Sequence, residues 1–248
     1  MKALVNFLTI ITSILVFGYY FLYDPAQFEK SKYETTQTAD IYEQQEDNSS
    51  VETEVVETEV VENNGSGGPE KVYSEETKRY FNEIALKTEF QGDRESVSIW
   101  TTDMKIFVDG EKPEYLMDEL QKIVGELNDI INPINIKIVT NKNESNYVVY
   151  FGSHTDFKNK YKLSSPQHLD NNWGFFQVNT NTGKMYVDLY RNNDEVSHKH
   201  LLREELTQSL GLFNDTWDYP ESIFYKGWTT TTEFAQIDRE LIDMLYNN

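Results

Sequence analysis

Arg203-Glu204-Glu205-Leu206-Thr207-Gln208-Ser209-Leu210-Gly211-Leu212-Phe213-Asn214-Asp215 is the stretch that decides how this chain folds. Side chains four apart on a helix share a face. Glu204 and Gln208 therefore point one way, with Glu205 beside them. His200 extends the same stripe one turn back. Asp194 is placed to cap the helix start, and Gly211 supplies the left-handed residue that ends one. The spacing predicts a helix from Asp194 to about Leu210. The turn after it can bring Asn214 or Asp215 back to the carboxylates.

Such a cluster offers oxygen donors. Zinc prefers imidazole and thiolate, whereas oxygen sets suit calcium, magnesium or manganese. The donor set argues against zinc and leaves another divalent cation, held by Glu204, Gln208, Asn214 and Asp215, as the metal expectation. Two other readings stand beside it. In one, Glu204 and Glu205 pair with Arg203 or Lys199, while Gln208 and Asn214 satisfy backbone groups, as buried polar atoms require. In the other, two carboxylates share acid–base work. Glu204 and Glu205 point about 100° apart on a helix, so Glu205 with Asp215 is the better pair. His198 and His200 fit a surface or helix-capping role. His154 and His168 show no ligand spacing.

The rest of residues 72–248 gives a consistent order of elements. A helix is predicted over 74–88, with Tyr80, Phe81 and Ile84 on one face, and a strand over 97–108. Pro113 is suited to open a long helix to Ile131, whose apolar positions follow the helical period. Short strands are expected at 134–139 and 147–151. Two more, at 173–178 and 184–190, are joined by an Asn-Thr-Asn-Thr-Gly turn and form a hairpin. A last helix is expected over 232–246. The order predicts an α+β layer fold: a mixed sheet with one antiparallel edge strand, packed by helices.

With these elements in place, the chain resembles the metzincin-type zinc peptidases. Their helix carries H-E-x-x-H-x-x-G-x-x-H. Glu204 stands at the first His position, Glu205 at the catalytic Glu, Gln208 at the second His and Asn214 at the third, while Gly211 keeps the glycine. Ser222-Ile223-Phe224-Tyr225 resembles the Met-turn beneath the metal, and 234–246 the helix that follows. The resemblance implies a zincin fold with an active-site-type helix, a C-terminal helix and a cleft under an edge strand. In that likeness Glu205 is the candidate catalytic base, and Glu204, Gln208, Asn214, Asp215, Trp173, Phe175 and Phe224 are the candidate cleft residues. The chain is also similar to a family of exported bacterial proteins of unknown function. The shared pattern, REExTQxLGLxND followed by Pro-x-Ser-Ile-Phe, implies export but no established reaction.

Segments outside this domain bound where it works. Residues 3–23 carry no charge and are rich in Leu, Ile, Val and Phe, long enough to span about 30 Å of hydrocarbon. Lys2 before them and Asp24 after them orient the N-terminus inward. With no small-x-small cleavage site in view, a retained single-pass anchor over 1–23 is expected, a cleaved signal peptide that exports the same domain being the alternative. The C-terminal domain then lies outside the cell membrane. Residues 24–71 hold 13 acidic and 3 basic side chains and the repeat VETEVVETEVVE. Such a segment buries too little apolar surface to offset its ordering entropy, so a disordered linker is expected. The net charge of −20 excludes a nucleic-acid partner. Zero cysteines exclude disulfides and lipidated cysteine.

The expected function is recognition of an extended peptide or envelope component without zinc hydrolysis. The alternative is an atypical metallopeptidase with an oxygen-ligand site and Glu205 as general base.

Overall fold

The computed structural model describes residues 71–88 and 93–247, all within one compact unit, Ser66–Asn248. The expected anchor at 1–23 and all but the last residue of the linker at 24–71 lie outside the described residues. Among the described residues no helix is long and apolar enough to cross a membrane.

Five strands form one sheet: β1 Met104–Gly110, β2 Ile136–Val139, β3 Tyr147–Gly152, β4 Gly174–Asn179 and β5 Thr182–Asp188. Their order is β2-β1-β3-β5-β4. All neighbours run parallel except β4, which lies antiparallel to β5 at the sheet edge. Among the described residues five α-helices accompany it: α1 Glu75–Ala85, α2 Glu114–Ile130, α3 His154–Lys160, α4 Glu195–Gln208 and α5 Gln236–Asn247. The expected mixed layer fold is present, with its antiparallel edge strand, its key helix and its C-terminal helix.

Alternation in the strands builds two cores. Met104, Ile106 and Val108 of β1 and Tyr147, Val149 and Phe151 of β3 face the larger one, beside Leu120 and Leu127 of α2, Leu202 and Leu206 of α4, and Leu241 of α5. On the other face, Tyr150, Phe175 and Tyr186 pack on Phe157 of α3 and on Leu169. A sheet covered on both faces explains why β3 reads as an almost unbroken apolar run.

Several element boundaries differ from expectation. The strand expected at 97–108 begins only at Met104. The stretch before it is tied by side chains instead: the Trp100 indole donates to Ser209 O at 2.9 Å, and its backbone N–H to the Tyr246 hydroxyl at 3.2 Å. Pro113 stands just before α2 rather than inside it, its ψ of 135° being extended. Helix α3 was not anticipated. Its signal was local: Ser153 accepts from Asp156 N, and the Ser153 hydroxyl bonds back to the Asp156 carboxylate, a capping pair readable as S-x-x-D.

The last helix starts at Gln236, later than expected. Asp238, fully buried, holds its entry. Its carboxylate accepts from Ser222 Oγ at 2.5 Å, Ile223 N at 3.2 Å and Ala235 N at 2.9 Å. It thereby staples the Ser222-Ile223-Phe224 turn to α5. Burial pushes its pKa up to about 6. A carboxyl raised in the folded state contributes stability below its unfolded pKa and loses it as pH rises through about 6. The folded protein should therefore lose on the order of 3 kcal/mol relative to Asp238→Asn between pH 4 and 7. Urea unfolding of both proteins across that range measures the difference; parallel pH profiles would refute the assignment.

Candidate functional site

Helix α4 is set by its ends. Asp194 accepts from Ser197 N at 3.0 Å and caps the start, where Glu195 also favours the positive end of the helix dipole. At the other end Gly211 and Leu212 donate back to Gln208 O at 2.9 and 3.1 Å. Gly211 has φ +138°, and a Cβ there would stand 2.0 Å from Ser98 O.

The helix between is buried nearly all round, polar residues included. Arg203 has no exposed surface. Its guanidinium donates to Glu119 at 2.7 Å and to Glu126, both on α2, and lies 4.4 Å over the Phe234 ring. Pairing of Arg203 with Glu204 or Glu205 is thus corrected: Arg203 faces away from them, into the core. His198 and His200 are buried too, against the expected surface role. His198 bonds the Tyr115 hydroxyl at 2.7 Å and Asn192 O at 2.6 Å. His200 Nδ1 lies 2.7 Å from Thr231 O.

Between α4 and β4 runs a cleft of about 710 Å³. One wall is the edge strand. Asp188 N donates to Trp173 O at 2.7 Å, and hydrogen-bonded pairs recur at every second residue of an antiparallel ladder. Phe175 and Gln177 therefore bond inward to β5, while Gly174, Phe176 and Val178 turn their N–H and C=O off the edge. No further strand among the described residues pairs with β4.

The floor is α4. Glu205 packs directly under Gly174, where a Cβ would stand 2.5 Å from its Oε1. Glu204 Oε2 is 3.4 Å from His200 Nε2. Gln208 Nε2 donates to Asp215 Oδ1 at 2.5 Å. Aromatics line the rest: Phe176 stacks on Phe213 at 5.7 Å, Trp173 meets Trp228 edge to face, and Phe175 stacks on His168 at 6.4 Å.

The cleft thus gathers the candidates Glu204, Glu205, Gln208, Asp215, Trp173 and Phe175. Two expected members stand apart. Asn214 is drawn to α1, its Nδ2 donating to Glu83 O at 3.0 Å and its backbone N–H to Ile84 O at 3.2 Å. Phe224 is wholly buried in the main core, where its backbone closes the Ser222 turn. The four expected cation ligands do not surround one point. Gln208 turns its amide N–H toward Asp215, a donor where a cation needs an acceptor. Among the described residues no three His, Cys, Asp or Glu side chains form a metal-holding group.

Trp228, Phe213 and Arg94 also line the cleft and were not anticipated. Trp228 stands in a Thr-rich loop after Gly227, with no periodicity to place it. A Trp in such a loop is itself the available signal.

Residues 74–248 match the model of a family described as "Protein of unknown function (DUF2927)". No curated protein matches the chain. Solved structures similar to it include two of myroilysin. One is 14% identical over 61% of this chain and 96% of that chain, with a TM-score of 0.38. The other is 13% identical over 67% and 93%, with a TM-score of 0.40. Archaemetzincin from Methanopyrus kandleri is 13% identical over 58% of this chain and 95% of that chain, with a TM-score of 0.35.

Proposed function

This chain belongs to the DUF2927 family, and we propose that its C-terminal domain is a metzincin-like binding module that takes up an extended peptide along the edge of β4. On this reading the N-terminal segment anchors the protein in the cell membrane and the linker holds the domain outside it. The standard zinc-ligand positions are filled by Glu204, Gln208 and Asn214, so recognition rather than zinc hydrolysis is the work of the cleft.

One observation carries the proposal. The outward backbone groups of Gly174, Phe176 and Val178 open onto a cleft floored by α4 and lined by aromatic rings. A strand laid there gains main-chain hydrogen bonds from the edge, and pockets for alternate side chains. The volume suits a few residues of extended chain.

The test is a peptide display library panned on the full chain. Val178→Pro deletes one outward N–H, a change that edge strands tolerate. A lost hydrogen bond of about 1–1.5 kcal/mol corresponds to roughly tenfold weaker binding of the recovered peptides. Val178→Ala, which removes side chain but keeps the N–H, controls for packing. Equal binding by the Pro and Ala variants would overturn strand addition at this edge.

A further inference from the structure

Trp173 stands where an irregular segment becomes the sheet edge, and its place is fixed from one strand away. Asp188, the last residue of β5, has no exposed surface. Its backbone N–H donates to Trp173 O at 2.7 Å. Both oxygens of its carboxylate are engaged. Oδ1 accepts from Tyr190 N at 2.9 Å and Arg191 N at 3.0 Å, and Oδ2 accepts from Arg191 Nε at 2.6 Å. A charge-assisted bond to a buried carboxylate fixes how the guanidinium points.

It points toward the lip of the cleft. Arg191 Nη1 donates to Asp170 O at 2.9 Å, and Nη2 lies 2.9 Å from Leu169 O and 2.6 Å from Asn172 O. These carbonyls come from the end of a short 3₁₀ turn, Pro166–Asp170, and from the residues just past it, where helical bonding runs out and carbonyls need other donors. The Tyr186 hydroxyl joins them, 2.5 Å from Asn172 O and 2.6 Å from Nη2. Side chains of the same segment, His168, Asn171 and Asn172, line the cleft together with Trp173. A planar fork with five donors can gather several carbonyls at once, which a lysine ammonium on a flexible stem cannot.

We propose that Arg191 is the positioning residue of this cleft. It holds residues 169–172 in place before a ligand arrives, so that Trp173 and the outward groups of Gly174 meet an incoming strand ready-formed. A loop ordered only on binding subtracts from affinity, and a lip ordered beforehand does not. The inference rests on the strand-binding reading for what the lip serves, while the hold on Trp173 can be measured without any ligand.

Arg191→Lys is the decisive variant, since lysine keeps a charge beside the buried Asp188 and loses the fork. Trp173 and Trp228, with ring centroids 5.2 Å apart and planes at 85°, should give a coupled pair of bands in circular dichroism, identified by its loss in Trp228→Ala. Arg191→Lys should lose most of that pair without ligand, while its thermal transition stays single. Library-derived peptides should bind the full-chain variant about tenfold weaker, the scale of ordering a loop on binding. Peptides trimmed of the residues that reach Trp173 should bind variant and parent alike. Tyr186→Phe, which removes one hydroxyl and no charge, should move both readouts the same way, with affinity falling about threefold. Lys158→Ala, which breaks only an exposed pair with Asp170, should move neither. A band pair unchanged in both Arg191→Lys and Tyr186→Phe, whole peptides bound as tightly as by the parent, or equal losses for whole and trimmed peptides would each overturn the assignment while strand binding stands. A lost band pair with no peptide recovered would instead overturn strand binding and leave the hold on the lip in place.

Discussion

Replacing Arg203 by alanine should destabilise the domain by about 3–5 kcal/mol, the range for breaking a buried ion pair by removal of one partner. Arg203 bridges Glu119, 6% exposed, and Glu126, whose other oxygen lies 4.0 Å from the Arg239 guanidinium. Without it the buried Glu119 loses its ion pair, Glu126 keeps only the longer contact with Arg239, and Phe234 loses the closer of its two guanidinium neighbours. In a domain of this size the melting temperature should fall on the order of 10 °C. The mechanism makes a second demand. Joint replacement of Arg203, Glu119 and Glu126 by Met, Leu and Leu should recover most of the loss, because the expensive species is the unpaired charge rather than the missing contact. Urea unfolding of parent, single and triple variants decides it. A single variant within about 1 kcal/mol of the parent would show that Arg203 is not the keystone of this packing.

Gly211→Ala should cost a comparable amount, about 3 kcal/mol or more, for a different reason. A φ of +138° is strained for an L side chain, and the added Cβ would stand 2.0 Å from the Ser98 backbone oxygen and 3.2 Å from Leu245 Cδ2. Backbone cannot rotate aside as a side chain can. Segment 98–100 is also pinned, by the Trp100 indole on Ser209 O and by the Tyr246 hydroxyl, which in turn donates to Leu210 O at 3.0 Å. The matched control is Gly125→Ala in α2, where nothing lies within 4 Å of the new Cβ. That change should stabilise by up to about 1 kcal/mol, the helix-propensity difference. Thermal or chemical unfolding of the two variants should move in opposite directions. A shift of the same sign and size in both would refute the close-approach explanation.

What the sequence displayed and what it hid divide along physical lines. The key helix was legible because its cap at Asp194 and its stop at Gly211 are local signals. The hairpin of β4 and β5 was legible because turn chemistry and alternation are local too. Glu204, Glu205, Gln208, Trp173 and Phe175 followed from those elements. Arg203 was misassigned because its partners sit 77 and 84 residues away on α2, and no periodicity reports such a distance. Asn214 was misplaced because the turn after Gly211 delivers it to α1, a docking that exists only in three dimensions. His200 looked like a surface residue because the face of α4 that carries it is polar. Its cover comes from Thr231 and Trp228, in a loop whose path sequence patterning does not fix.

The parity of the β4 edge has a consequence for how any ligand of this protein would be described. Only Gly174, Phe176 and Val178 present their amides outward, so an attached chain would lock in steps of two. Its odd members would meet the protein and its even members the solvent. A consensus compiled from consecutive letters would blur into noise, while the same letters sorted by parity would resolve into a pattern. Insertion of a single residue into such a ligand would swap the two classes along everything that follows, whereas insertion of two would only lengthen it. The recognition alphabet of this cleft would thus be tolerant of spacing in pairs and intolerant of it singly.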